Sequence, residues 1–374
     1  MSNSLHPLSL PNCSLQPHQP NPALGVIEGF FGKSWSWTAR HAYATWLPQH
    51  GYGFYIYAPK DDAYLRRQWQ HPWPDDELTQ LRQLAHSCRQ QGLAFGIGLT
   101  PLGAHHDYPS KRAALLAKVA LIETELQPDI LAVLFDDMPS DTPALARLQL
   151  TIAHDIAAHT QASRLIFCPS FYSTDPILEK VFGAMPAGYW HELGSGLDPH
   201  FDLFWTGPKV CSSVYPPEHL AWVAETLKRK PFLWDNYPVN DGKKACNFLY
   251  LRGFEHRPAE LAELVAGHAV NPMKQAALSR LPLATLPLSY QLGSTYQADQ
   301  VWQQTTRLQL GDELTIMLAE DLSLLTDVGL EQLSEPQKAG LVTRYQPFAH
   351  HEEIDELLRW LAGEYLFDPA CLTD

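Results

Sequence analysis

The stretch LAVLFDDMPSD, residues 131–141, decides the fold. From Ile130 to Phe135 every residue is apolar, with no alternation, and Met138, Pro139 and Ser140 then end the run. A short apolar run bounded by turn residues is the pattern of a parallel strand covered on both faces. Such a strand delivers Asp136 and Asp137 to its own C-terminal end, the edge at which barrels and open α/β sheets bind ligands. Two carboxylates at short range do not both ionise cheaply, so the pair separates a charge stabiliser from a general acid. A purely structural reading of the same residues has one aspartate capping the next helix and the other solvated.

On either side of this stretch the same strand-then-polar pattern recurs. GVIEGFFG begins at Gly25, the aromatic strand from Phe54 to Ala58 runs into Pro59, Lys60, Asp61 and Asp62, and LAFGIGLTP ends near Leu99. Beyond the central stretch come RLIFCPSFY, DLFWTGPKV, KPFLWDNYPVND and AGHAVNPM. Helical periods fill the intervals, over residues 75–91, 111–126, 143–159, 178–182 and 218–229. Eight strands alternating with helices predict a (β/α)8 TIM barrel, which takes roughly 250 residues. A doubly wound open sheet is the alternative, but no Gly-rich phosphate loop follows any strand. The spacing divides the chain into an N-terminal arm over 1–23, a barrel over 24–280 and a helical region over 281–374. In that last region the helical periods are broken by Pro282, Pro287, Pro336 and Pro347, and a bundle packed on the barrel is expected.

Composition narrows the partners. Among 374 residues, 27 Lys and Arg stand against 41 Asp and Glu, a net charge of −14. That balance gives no basic footprint for nucleic acid or an anionic membrane, whereas a neutral sugar is compatible with it. The first two dozen residues lack a basic segment followed by an apolar one, and no apolar run reaches membrane-spanning length, so a cytoplasmic protein is expected. Cysteines 13, 88, 168, 211, 246 and 371 are scattered without metal-like spacing, which predicts free, mostly buried thiols. HELGSG at His191 matches only half of a zinc motif, and His350 with His351 opens an acidic amphipathic helix. Neither a metal site nor a cofactor is expected, and the sequence assigns no oligomeric state.

The polar and aromatic residues at the strand ends are Gly29, Lys60, Asp136, Asp137, Tyr172, Trp234, Asn236, Asp241 and Asn271. Hexose recognition uses carboxylates and amides against hydroxyls and an aromatic wall against the C–H face of the ring. Singly, Lys60 also reads as a surface lysine, Trp234 as a core residue, and Asn236 or Asn271 as a turn residue. In order and spacing, GVIEGFFG, YAPKDD, LFDD, FCPSFY, WTGPKV, WDNYPVND and VNP resemble family 84 of the glycoside hydrolases, a family of β-N-acetylglucosaminidases that includes protein O-GlcNAcases.

The resemblance implies a substrate whose own 2-acetamido oxygen is the nucleophile. Asp136 would hold the acetamido group while an oxazoline forms, and Asp137 would be the general acid and then the base. Lys60 would contact a sugar hydroxyl, Tyr172 and Asn236 would surround the acetamido group, and Trp234 would form the aromatic wall. Asp241 and Gly29 would face the hydroxyls furthest from the leaving group, and Asn271 would make the last sugar contact. The implied partner is an N-acetylglucosamine-containing glycoside or a glycosylated protein. Two alternatives are an endo-acting hyaluronidase-like enzyme, which the acidic balance disfavours, and a non-catalytic sugar-binding barrel.

Overall fold

The structure, a computed structural model, describes residues 22–136 and 138–367. All but the last two residues of the expected N-terminal arm lie outside the described residues. Eight strands, β1 (Ala23–Glu28), β2 (Phe54–Tyr57), β3 (Ala94–Leu99), β4 (Ile130–Leu134), β5 (Arg164–Cys168), β6 (Phe201–Trp205), β7 (Phe232–Asp235) and β8 (Gly267–Val270), close into a barrel in sequence order. Every pairing is parallel, and β8 completes the ring by pairing with both β7 and β1. The helices between them are α1 (Trp37–Gln49), α2 (Asp75–Gln90), α3 (Tyr108–Glu125), α4 (Leu145–Ala157), α5 (Ile177–Phe182), α6 (Tyr189–Gly196), α7 (Pro217–Leu227) and the single turn α8 (Leu261–Leu264). The fold is the (β/α)8 barrel the apolar runs predict.

Alternation along each strand divides its side chains between two cores. Ile27, Ile56, Ala58, Ile130, Ala132 and Leu134 fill the barrel interior, while Val26, Tyr55, Leu131 and Val133 pack outward beneath the helices. Phe54 and Phe232 plug the N-terminal half of the barrel edge to face, with ring centroids 5.7 Å apart. Each ring lies against a glycine of a neighbouring strand. A Cβ on Gly25 would sit 2.2 Å from the Phe54 ring, and one on Gly267 would sit 2.3 Å from Phe232. Large and small residues thus interlock at the floor, leaving the C-terminal mouth as the open end.

Helix α6 was not read from the sequence. It contains HELGSG, and its Gly194 abuts the backbone of α7, where a Cβ would lie 2.4 Å from the Thr226 carbonyl oxygen. No described helix is long and apolar enough to cross a membrane.

Among the described residues, five α-helices follow the barrel, α9 (Ala276–Leu283), α10 (Leu286–Leu292), α11 (Ala298–Ser323), α12 (Glu335–Tyr345) and α13 (Glu352–Leu361). The prolines act differently from the breaks expected of them. Pro287 and Pro336 lie in the first turns of α10 and α12, where a missing N–H costs nothing, and Pro282 is contained within α9. The sharp interruption is instead Gly311, whose φ of 82° and ψ of 174° kink α11. Met273, Leu278 and Leu281 share a core with Trp302, Leu314, Leu318 and Trp360, and the Trp360 indole donates to the Cys246 carbonyl at 3.1 Å. The helical region is therefore welded to the end of the barrel.

One buried carboxyl in that junction responds to pH. Glu356 of α13 accepts the Leu278 N–H at 2.9 Å, and burial raises its pKa from 4.5 to about 7, against the backbone N–H groups that favour its charge. Because the folded value lies above the unfolded one, the contribution is fully present below about 4.5 and is lost as pH rises through about 7. Glu356→Gln should therefore gain thermal stability relative to wild type on going from pH 6 to pH 8.5. A difference in melting temperature that stays constant over that range would contradict the assignment.

Candidate active site

The site follows from continuing the interior-facing parity past the end of each strand. On β4 the inward series Ile130, Ala132, Leu134 leads two residues on to Asp136. The same step leads from Ile27 to Gly29, from Ala58 to Lys60, from Trp234 to Asn236 and from Ala269 to Asn271. These residues meet in one cavity of ≈ 160 Å³, which Tyr172 and Asp241 also line from the loops after β5 and β7. A cavity of about 150 Å³ holds a single six-membered ring. The structure thus brings together Gly29, Lys60, Asp136, Tyr172, Trp234, Asn236, Asp241 and Asn271. Asp137 lies outside the described residues.

Phe31, Cys168, Thr206, Val210, Cys211 and Val239 complete the lining and were not anticipated. Phe31, Cys168 and Thr206 share the inward parity and could have been found from it. Val210, Cys211 and Val239 come from loops with no periodic signal.

Two charges meet at the cavity wall. Lys60 Nζ lies 2.5 Å from Asp136 Oδ2, with only 2% and 11% of the two side chains exposed. A buried pair of this kind has to be kept whole, since removing one partner strands the other charge in a poor solvent. Asp241 accepts the Phe31 N–H at 2.8 Å, and burial raises its pKa against the opposing pull of that N–H and of Lys274 and Lys60.

The amides are oriented by a relay with no freedom in it. The Trp234 indole N–H can only donate, so the atom it meets at 3.0 Å must be Asn236 Oδ1. Asn236 Nδ2 then faces the Val210 carbonyl at 2.8 Å. Asn271 Nδ2 donates to the same Asn236 oxygen at 3.0 Å, which leaves Asn271 Oδ1 to accept the Gly29 N–H at 3.2 Å. The chain of bonds spans β7, β8 and β1 and fixes the indole plane. Gly29 in turn has to be glycine, because a Cβ there would lie 2.5 Å from the Trp234 ring.

Residues of the opposite parity brace the strand ends from outside. Asp235, between Trp234 and Asn236, takes both Nε and Nη2 of Arg257, at 2.6 and 2.9 Å, and lies 3.0 Å from His268 Nε2. Burial alone would raise its pKa, but Arg257 and His268 outweigh burial and hold the carboxyl below its usual range. Burial lowers the pKa of His268, so the neutral ring donates to Asp235 and accepts from the Tyr290 hydroxyl at 2.9 Å. Arg257 also donates to the Ser212 and Ser213 carbonyls, at 3.0 and 2.6 Å, pinning the loop that carries Val210 and Cys211. On β1, Glu28 plays the corresponding part, gripping Arg40 at 2.8 and 2.9 Å with the Tyr55 hydroxyl bonded to the same carboxylate.

The molecule is a (β/α)8 barrel with a cavity of carboxylate, amide and aromatic side chains at its C-terminal mouth. The beta-N-acetylglucosaminidase family model matches residues 24–321, and the chain belongs to that family, glycoside hydrolase family 84. The chain is 28% identical over 276 residues to the protein O-GlcNAcases of Rattus norvegicus and Mus musculus, a match covering 71% of this chain and 30% of each relative. It therefore spans under a third of the length of those relatives. A solved O-GlcNAc hydrolase from Thermobaculum terrenum, an aspartate-to-asparagine mutant, superposes with a TM-score of 0.72 at 28% identity, covering 91% of this chain and 74% of that one.

The Gly29–Trp234 contact is directly testable. Gly29→Ala must displace the indole, and misplacing a site group by about 1 Å can cost on the order of 100-fold in rate. We expect kcat/KM on an aryl 2-acetamido-2-deoxy-β-glucoside to fall by about 10- to 100-fold in protein that still unfolds cooperatively. Unchanged kcat/KM would show that the ring position is not critical.

Proposed function

We propose that this chain is a retaining β-N-acetylglucosaminidase that removes terminal β-linked N-acetylglucosamine by substrate-assisted catalysis. The observation that carries the reading is the single small cavity in which Asp136 meets Lys60, two oriented amides, an aromatic wall and Asp241. Its size suits one sugar ring, which favours exo-action over cleavage within a polymer. The acetamido oxygen would attack the anomeric carbon and give an oxazoline, so no protein nucleophile is needed, unlike the usual pair of carboxylates spanning the bond.

In this mechanism Asp136 accepts the acetamido N–H and stabilises the positive charge that develops on the group as the oxazoline closes. Asp137, assigned from its place in LFDD, protonates the departing oxygen and then activates water. Tyr172 and Asn236 enclose the acetamido group, and the Asn236 relay supports this by holding the amide in one orientation. Trp234 covers the apolar face of the ring, Lys60 and Asp241 meet hydroxyls, and Gly29 and Asn271 close the far end. The rat, mouse and bacterial relatives are named for O-linked N-acetylglucosamine, and we take the substrate to be that sugar on a protein. Free thiols at Cys88, Cys168, Cys211 and Cys246 suit action in the reducing cytoplasm.

Two measurements test the chemistry. An aryl 2-acetamido-2-deoxy-β-glucoside should be cleaved and the matching 2-hydroxy glucoside should not, and comparable rates on both would remove the substrate nucleophile. The aspartates separate by leaving group. General-acid help is worth on the order of 10² to 10⁴-fold and matters most for a poor leaving group, so Asp137→Ala should be severe on alkyl glycosides and mild on acidic phenols. Asp136→Ala and Asp136→Asn should be damaging on every substrate, because charge on the acetamido group develops whatever departs. A steeper dependence of log rate on leaving-group pKa in Asp136→Ala, with an unchanged slope in Asp137→Ala, would mean that the roles are reversed.

A further inference from the structure

Spacing in the sequence gives no hint of a metal site, yet folding gathers His105, His106 and Asp141 outside the sugar cavity. The two histidines lie on the loop between β3 and α3, and Asp141 lies on the segment between β4 and α4, five residues after Asp136. His105 Nε2 is 3.2 Å from Asp141 Oδ1, and His106 Nε2 is 3.2 Å from Asp141 Oδ2. One ligand atom from each of the three residues falls within 4.8 Å of the others. With Zn–N and Zn–O bonds of about 2.0–2.2 Å, neighbouring ligand atoms of a tetrahedral zinc lie roughly 3.3 Å apart, close to the 3.2 Å from each histidine to its nearer carboxylate oxygen, Oδ1 for His105 and Oδ2 for His106.

A second observation points the same way. The His105 side chain is only 1% exposed, its Nε2 faces the Asp141 carboxylate at 3.2 Å, and its Nδ1 has no hydrogen-bond partner among the described residues. A buried imidazole left in that state calls for a partner. His106 and Asp141, at 59% and 40% exposed, leave the point between the three residues open to an ion from solution.

We propose that His105, His106 and Asp141 form a transition-metal site of the Zn²⁺ type, completed by water, that ties the β3–α3 loop to the β4–α4 segment beside the active site. Two imidazoles and one carboxylate select Zn²⁺ or Co²⁺ over Mg²⁺ or Ca²⁺, which prefer oxygen ligands. None of the three residues lines the sugar cavity, so the ion would act on the loop that follows the aspartate pair and not on the sugar.

The test uses the full chain stripped with chelator and titrated with ZnCl₂ by calorimetry, beside His106→Ala and Asp141→Asn, whose exposed side chains can change without disturbing the core. Losing an outer-shell partner already weakens metal binding by about 10- to 100-fold, so losing a ligand should cost at least roughly tenfold. Wild type should bind one Zn²⁺ at least about tenfold more tightly than either variant. CoCl₂ should give the visible absorption of a low-coordinate ion in wild type alone. Amide exchange over residues 103–107 and 138–144 should slow with Zn²⁺ in wild type and not in the variants. Absence of binding, equal binding in all three proteins, or binding that leaves exchange in both loops unchanged would overturn the proposal.

Discussion

Side chains alternate across a parallel strand with a period of two, and the whole arrangement at the barrel mouth depends on that period. Once Ile130, Ala132 and Leu134 are committed to the interior, Asp136 has to emerge over the axis, and Gly29, Lys60, Asn236 and Asn271 follow by the same arithmetic on their own strands. A one-residue slip in any strand would bury its functional group under the helices and turn its neighbour into the cavity. Register is therefore a catalytic constraint as much as a structural one. It is held at the other end of the barrel by Phe54 and Phe232 wedged against Gly25 and Gly267.

The opposite parity carries a second set of charges whose work is mechanical. Glu28 precedes Gly29 and Asp235 precedes Asn236, and each is a fully buried carboxylate gripped through two nitrogens by an arginine from outside the barrel. Truncating one partner of such a pair typically costs about 3–5 kcal/mol, because the other charge is left buried and alone. The arginine at Asp235 does more than neutralise it. By also taking the Ser212 and Ser213 carbonyls, Arg257 ties the end of β7 to the loop that walls the cavity, so the wall and the amide relay share one anchor.

Much of this was legible in the sequence because it rests on local patterns. Unbroken apolar runs marked the strands, and polar residues crowding their ends marked the mouth, so the residues gathered around Asp136 could be named before any coordinates. What escaped rests on distance in the chain. Arg257 reaches back over 22 residues to Asp235, Asp141 meets His105 across 36 positions, and Val210 and Cys211 enter the cavity on a loop with no period. In the helical region the prolines misled, because a proline in a first turn looks in sequence like a break while physically it starts a helix. The real discontinuity is Gly311, which falls between the helical periods ADQVWQQTTRLQL and ELTIMLAEDLSLL and carries the positive φ there.

The role of Asp136 toward the acetamido group of the substrate can be seen in a crystal structure with a stable cyclic analogue of the oxazoline bound. The analogue should occupy the cavity at the mouth with its ring nitrogen within hydrogen-bond distance of Asp136, its sugar face on Trp234, and the Asn236 relay unchanged. An analogue bound elsewhere, or bound in the cavity with its nitrogen turned to solvent and away from Asp136, would contradict that role.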